Sequence, residues 1–213
     1  MITIYALTAP RPELKGLVRD IRPVWTLEEL GLPYRRETMN PLEQEHKQPK
    51  YLAINPFGKV PALKDGDFTL FESAAICTYL GDKVGKLIPT AGSRERALYD
   101  QWVSYTISTF EPTAVRVIRA ELFEEKNETT VRQRQDALDL IEPMAAALNA
   151  HFAKRSYLLG EQFTIADIQL ASSCRIVGHT EFAARHSNLQ AYLQRCYDRP
   201  AFARASKNNG LPA

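Results

Sequence analysis

The stretch INPFGKVPALKDGDFTLFESAAI, from Ile54 to Ile76, reads as a loop, a short strand, a tight turn, a second strand and a helix start. Pro61 falls inside the first strand-like run, where it has no N–H to give to a ladder. A Val-Pro pair at a strand entrance is a place where a cis peptide costs only ~0.5–1 kcal/mol. Such a bond leaves the Val60 N–H and C=O facing outward, toward an extended peptide. Asp65-Gly66 is a two-residue hairpin signal between VPAL and FTLF. Glu72-Ser73 then opens the Ala-rich run AAICTYL at the helix end whose N–H groups and dipole favour an anion. One short segment thus offers a strand edge to a peptide backbone and a helix start to a carboxylate, a combination suited to a small acidic peptide.

The totals set the class. A chain of 213 residues with 45% apolar and 24% charged residues is an ordinary globular protein with room for one large or two small domains. A net charge of +2 gives no global field for nucleic acid or a membrane surface. No apolar run approaches the ~18 residues of a spanning helix, and the opening MITIYALTAP reads as a strand rather than a signal peptide. Cys77, Cys174 and Cys196 lack any Cys-x-x-Cys spacing, which points to reduced thiols and a cytoplasmic location. His151, His179 and His186 show no metal-ligand spacing, so no metal is expected.

Read in order, residues 2–7 form a strand and residues 8–19, with two prolines and a glycine, a long loop. A helix over 20–30 ends at Gly31 with Pro33 beyond it, and Tyr34 to Thr38 is a second strand. Tyr51 to Ile54 is one helical turn. After the helix over 74–80, GDKVGKLIPTAGS reads as a linker. From Arg94 onward only helical periodicity remains, with Ala97, Leu98, Trp102, Tyr105 and Thr109 on one face and Pro112 as a kink. Val131, Leu138, Ile141, Ala145, Leu148 and Phe152 mark a long helix that includes Pro143. Thr164 to Asp167 fits a capping box, and Asn188 to Tyr197 is a final helix closed by Pro200. Strands and helices followed by helices alone predict an α/β domain and then an all-α domain.

The words NPFGKVPAL, LFESAAI and FTIADI, with EELGLPY before them and RPAFARA near the end, resemble the glutathione transferase family in their joint spacing, across nearly the whole chain. The resemblance is to the cytosolic, bacterial-type members with a phi-like glutathione motif. It implies a thioredoxin-like domain over 1–84, a linker over 85–92 and an all-helical bundle over 93–213. It also implies glutathione as bound thiol substrate, a small electrophile, a homodimer and a role in detoxification.

Each candidate site residue has a plainer reading beside the functional one. Ser73 and Glu72 can be a helix cap and a first-turn acid, whereas the resemblance makes them the holders of the γ-glutamyl carboxylate and ammonium. Val60-Pro61 can be a turn into a strand, whereas the resemblance makes Val60 the backbone partner of the cysteinyl part and Pro61 a cis proline. Lys59 stands where relatives carry a polar or basic side chain. His46-Lys47 reads as a solvated basic loop, or by resemblance as the pair that binds the glycine carboxylate. The thiol-activating group is open, because no serine or cysteine precedes Glu72 and Asp20 occupies the position where the motif carries serine. Arg22 or Arg19 is expected to stabilise the thiolate, with Asp20 as N-cap and as orienter of the guanidinium, and Tyr5 and Thr8 are the hydroxyl alternatives. Tyr105, Thr109 and Phe110 are candidates for the electrophile pocket, or core by their helical spacing. Two rival functions stand beside conjugation: a glutathione-dependent disulfide or peroxide reductase, and a non-catalytic binding module on the same scaffold.

Overall fold

The structure is a computed structural model that describes residues 1–8, 17–178, 182 and 184–208. The stretch 9–16 of the expected long loop, and His179, lie outside the described residues. The chain forms two compact units, Met1–Ile88 with Arg199–Ala213, and Pro89–Asp198.

In the first unit the order is β1 (Ile2–Leu7), α1 (Ile21–Leu30), β2 (Tyr34–Met39), a 3-10 turn (Glu45–Lys47), α2 (Pro49–Leu52), β3 (Ala62–Asp65), β4 (Phe68–Phe71) and α3 (Ser73–Val84). The sheet order is β2-β1-β3-β4, with β1 parallel to β2 and the other two pairs antiparallel. This βαβ-ββα arrangement is the thioredoxin-like one. Gly31 ends α1 in the left-handed region, at φ 66°, and its N–H bonds the Leu27 carbonyl, as a glycine after a helix should. The strand expected over VPAL begins only at Ala62, after Pro61. The hairpin turn is Gly66-Asp67, one residue later than the Asp65-Gly66 reading, since Asp65 pairs with Phe68. The first four residues of the expected linker GDKVGKLIPTAGS belong to α3, which Gly85 terminates at φ 70°.

The second unit is helical: α4 (Arg94–Tyr105), a π-helical turn (Thr106–Phe110), α5 (Glu111–Leu122), α6 (Glu128–Phe152), α7 (Ile165–Cys174) and α8 (Ser187–Tyr197). The π turn lies directly ahead of Pro112, whose ring would otherwise press on the Ser108 carbonyl one turn back. The helix is therefore re-phased rather than broken. Of α4 only Tyr99 is buried, and Ala97, Leu98 and Thr109 of the expected apolar stripe are exposed. Val131, expected to face inward from α6, is exposed as well.

A further helix, α9 (Pro200–Asn208), follows where Pro200 was expected to close the fold, because proline starts a helix as readily as it stops one. It belongs to the first unit, so the all-helical segment expected over 93–213 does not stay together. Trp25 of α1 packs on Phe202 with ring centroids 4.6 Å apart. Arg199 just ahead of α9 makes a two-pronged ion pair with Glu29, at 2.6 and 2.7 Å.

Thr164 and Asp167 form the expected capping box of α7, and the Asp167 carboxylate also accepts from Leu158 N–H and the Tyr192 hydroxyl. Burial pushes the Asp167 pKa from 3.8 up to about 6, against those hydrogen bonds. The folded state therefore holds this proton more tightly than the unfolded chain, and the stability this group contributes falls as pH rises from about 4 to about 6. Asp167→Asn should remove that slope in thermal unfolding across this range. Asp167→Ala strands two buried backbone donors and should lower stability by about 3 kcal/mol in calorimetry.

Candidate glutathione site

The site grows from three backbone features of the first unit. Asn55 and Tyr51 clamp one carbonyl: Lys59 C=O accepts from the Tyr51 hydroxyl at 2.5 Å and from Asn55 Nδ2 at 2.8 Å. The other end of the Asn55 amide accepts from Phe57 N–H at 3.1 Å, so the turn over 55–59 is held from both sides. The Val60-Pro61 peptide follows and is cis. Among the described residues neither the N–H nor the C=O of Val60 has a hydrogen-bond partner. Ala62, two residues on, pairs with Phe71, which places Val60-Pro61 beside Glu72.

Glu72 is the N-cap residue of α3 and adopts φ 72°, ψ 115°, in a region that side chains rarely occupy. Its side chain is exposed and makes no capping bond, and the first turn of α3 holds no acid. The positive end of α3 is thus open to an anion. Ser73 is the first helical residue rather than the cap. It is buried, and its Oγ accepts a hydrogen bond from Nη1 of Arg22 at 3.3 Å. Arg22 lies in the first turn of α1, only 2% exposed, so a guanidinium is enclosed against the start of α3. On the other side of the 55–59 turn, Lys47 Nζ donates to the Phe57 carbonyl at 3.2 Å. Burial, then the charges of Lys47 and Lys59, depress the pKa of His46, so these three basic side chains share one neighbourhood. Gly58, at φ 57°, makes this possible: a Cβ there would stand 2.8 Å from the His46 carbonyl and from Lys47 Nζ.

Comparison with known proteins places the chain in a family. Residues 15–82 match the family model for the glutathione S-transferase N-terminal domain, and residues 99–200 match that for its C-terminal domain. Glutathione S-transferase 4 of Zea mays is 31% identical over 189 residues, covering 84% of this chain and 83% of that protein. The chain belongs to the glutathione S-transferase family. A probable glutathione S-transferase GSTF2 of Oryza sativa subsp. japonica is 32% identical over 177 residues, covering 80% of each chain. Among solved structures, a glutathione transferase of Burkholderia graminis with two glutathione molecules bound per subunit superposes at TM-score 0.85. It is 27% identical and covers 97% of this chain and 87% of that one.

Against the glutathione transferase pattern, the structure sorts the expected residues. It brings Glu72, Ser73, Val60, Pro61 and Arg22 to one edge of the first unit, and groups Lys59, His46 and Lys47 at the neighbouring turn. Asp20 sits at the N-cap position of α1 but makes no capping bond. Its buried carboxylate instead receives Nη2 and Nε of Arg36, at 2.7 and 3.2 Å, so the guanidinium it is seen to orient is that of Arg36. Burial raises the Asp20 pKa, and Arg36 opposes that rise. Arg36 was missed; its signal is an arginine whose alternation in β2 puts it on the same face as Tyr34. Arg19 is exposed, and its carbonyl accepts the Arg22 N–H. Thr8 is engaged elsewhere, since its hydroxyl and N–H both donate to the Met39 carbonyl. Tyr5 points to the α2 face of the sheet, packed with Tyr51, Met39 and Ala62. In the second unit Phe110 is fully enclosed and stacks toward Phe182, a core residue rather than a pocket wall. Tyr105 is half-buried and Thr109 exposed.

The Glu72 backbone separates conformation from chemistry. Glu72→Gly should be more stable than Glu72→Ala by about 1 kcal/mol in denaturant unfolding, because only glycine relaxes at that φ. Both variants should bind glutathione more weakly than the parent chain.

Proposed function

We propose that this glutathione transferase binds glutathione along Val60, stabilises its thiolate and directs the sulfur at a small electrophile. The observation that carries the reading is the buried contact of Arg22 with Ser73 at the open start of α3. Because Ser73 Oγ accepts from a guanidinium, its own proton is directed outward, toward the γ-glutamyl carboxylate. The N–H groups of α3 and the enclosed charge of Arg22 add positive potential there, and the exposed Glu72 carboxylate suits the ammonium. Val60 N–H and C=O then pair with the cysteinyl backbone, while Lys47, Lys59 and His46 suit the glycine carboxylate. A free thiol of pKa ~8.5 needs about 3 kcal/mol of differential stabilisation to drop by two units. A buried cation near a helix start is of that order, so Arg22 is the thiolate stabiliser we favour, with Arg19 secondary. Conjugation is then attack by a positioned thiolate, in a cytoplasmic, detoxifying role.

A homodimer fits the surface. Phe57 is 65% and Phe68 44% exposed on the first unit, and Leu98 is 50% exposed on the second, apolar area that a second copy would cover. The reductase reading keeps one specific support: relatives from Burkholderia graminis and Pseudomonas fluorescens hold two glutathione molecules.

Ser73→Ala should weaken glutathione binding by about 1–3 kcal/mol, read as a raised KM for glutathione. An unchanged KM would remove Ser73 from the site. Arg22→Lys should lower kcat more than it raises KM and should shift the pH-rate profile for the thiol upward; parent-like rates near neutral pH would clear Arg22 of a role in activation. Side-by-side assays with an aryl halide and with a small disulfide decide between conjugation and reduction. A bound thiol whose ultraviolet absorbance does not change would support the non-catalytic module instead.

A further inference from the structure

Between β2 and α2 the first unit has a cavity of about 270 Å³, open to solvent on one side, that contains none of the residues proposed to hold glutathione. Tyr5, Met39 and Tyr51 are its buried lining, while Glu37 and Glu45 bring carboxylates to it and Lys50 a single ammonium. The rings of Tyr5 and Tyr51 lie 5.8 Å apart, tilted by 57°, so the cavity has two aromatic walls at an angle. Tyr5 is only 8% exposed, yet its hydroxyl has no hydrogen-bond partner among the described residues. The Tyr51 hydroxyl, by contrast, is committed to the Lys59 carbonyl. The Tyr5 hydroxyl therefore stands in the cavity wall without a protein partner, open to solvent and available to a ligand.

We propose that this cavity binds a small organic ammonium ion, an arylalkylamine of one or two rings. The ring fills the apolar floor at Met39, and the ammonium donates to Tyr5 Oη and to Glu37 while lying against the tyrosine faces. The charge balance favours a cation. Burial, and then the Glu37 carboxylate, raise the Tyr5 pKa against Arg35, which reaches Glu37 at 3.3 Å. Glu45 contributes a second carboxylate, one oxygen of which accepts from Asn40 N–H. A volume of about 270 Å³ matches such a ligand and is too small for most drug-sized molecules.

Phenethylamine and phenylacetate, which share a ring and differ in charge, serve as probes in calorimetric titrations of the full chain. Phenethylamine should bind about fivefold or more tightly than phenylacetate. Glu37→Gln, a change at a half-exposed position, should abolish that preference while leaving glutathione turnover intact. Tyr5→Phe should weaken the amine severalfold with the melting temperature kept. Equal affinity for the two probes would overturn the assignment, as would the absence of saturable binding up to roughly 10 mM. Competition between the amine and glutathione would also overturn it, by placing the amine in the other site. The comparison of the two probes and the Tyr5→Phe titration do not depend on whether the glutathione site is correctly read.

Discussion

A guanidinium buried against a helix start is the constraint around which the first unit is arranged. Arg22 is enclosed by its own helix, and its Nη1 reaches Ser73 Oγ, so α1 and α3 meet at their positive ends. Two like-signed helix ends and a cation in one place are unfavourable by themselves, by roughly 0.3–1 kcal/mol for each charge near a terminus. The Ser73 hydroxyl is one of the partners that offset this cost.

Around that point the fold supplies rigidity where a peptide would lie. The Lys59 carbonyl is gripped by Tyr51 and Asn55, and the Asn55 side chain reaches back to Phe57. Each such bond contributes on the order of 1 kcal/mol. Their larger effect is to hold the Val60 backbone in one place before any ligand arrives, which reduces the entropy lost on binding. Gly58 lets the 3-10 turn carrying His46 and Lys47 close over the same loop. The sheet contributes through register: pairing of Ala62 with Phe71 brings a loop and a helix start, twelve residues apart between Val60 and Glu72, side by side.

The two faces of β1 then divide the labour. Tyr5 and Ala62 point toward α2, while Ile4 and Leu63, paired with each other one step along, point to the opposite face. This alternation removes Tyr5 from the company of Ser73 and leaves its hydroxyl in a separate cavity. A residue that in sequence stands three positions after Ile2, the first residue of β1, looks like any strand tyrosine. Only its partner across the sheet shows where the hydroxyl goes.

Much of the geometry of the candidate site was legible because its determinants are local. Pro61, Gly66, Gly85 and the Glu72-Ser73 pair each act within a few residues of where they stand, through a missing N–H, a positive φ or a helix end. Local rules of that kind also marked α1, β2, the long helix through Pro143 and the capping box at Thr164. What sequence left open depends on partners far along the chain. Asp20 reads as a cap until Arg36 arrives from β2 to take its carboxylate, and Phe110 reads as a pocket wall until burial encloses it. Pro200 reads as a stop until Trp25 and Glu29 give a further helix something to pack against. Amphipathic spacing names a face but not its occupant, and charge names an attraction but not its partner. Those pairings are long-range, so they were settled by packing: which buried surface had room, and which charge could not be enclosed alone.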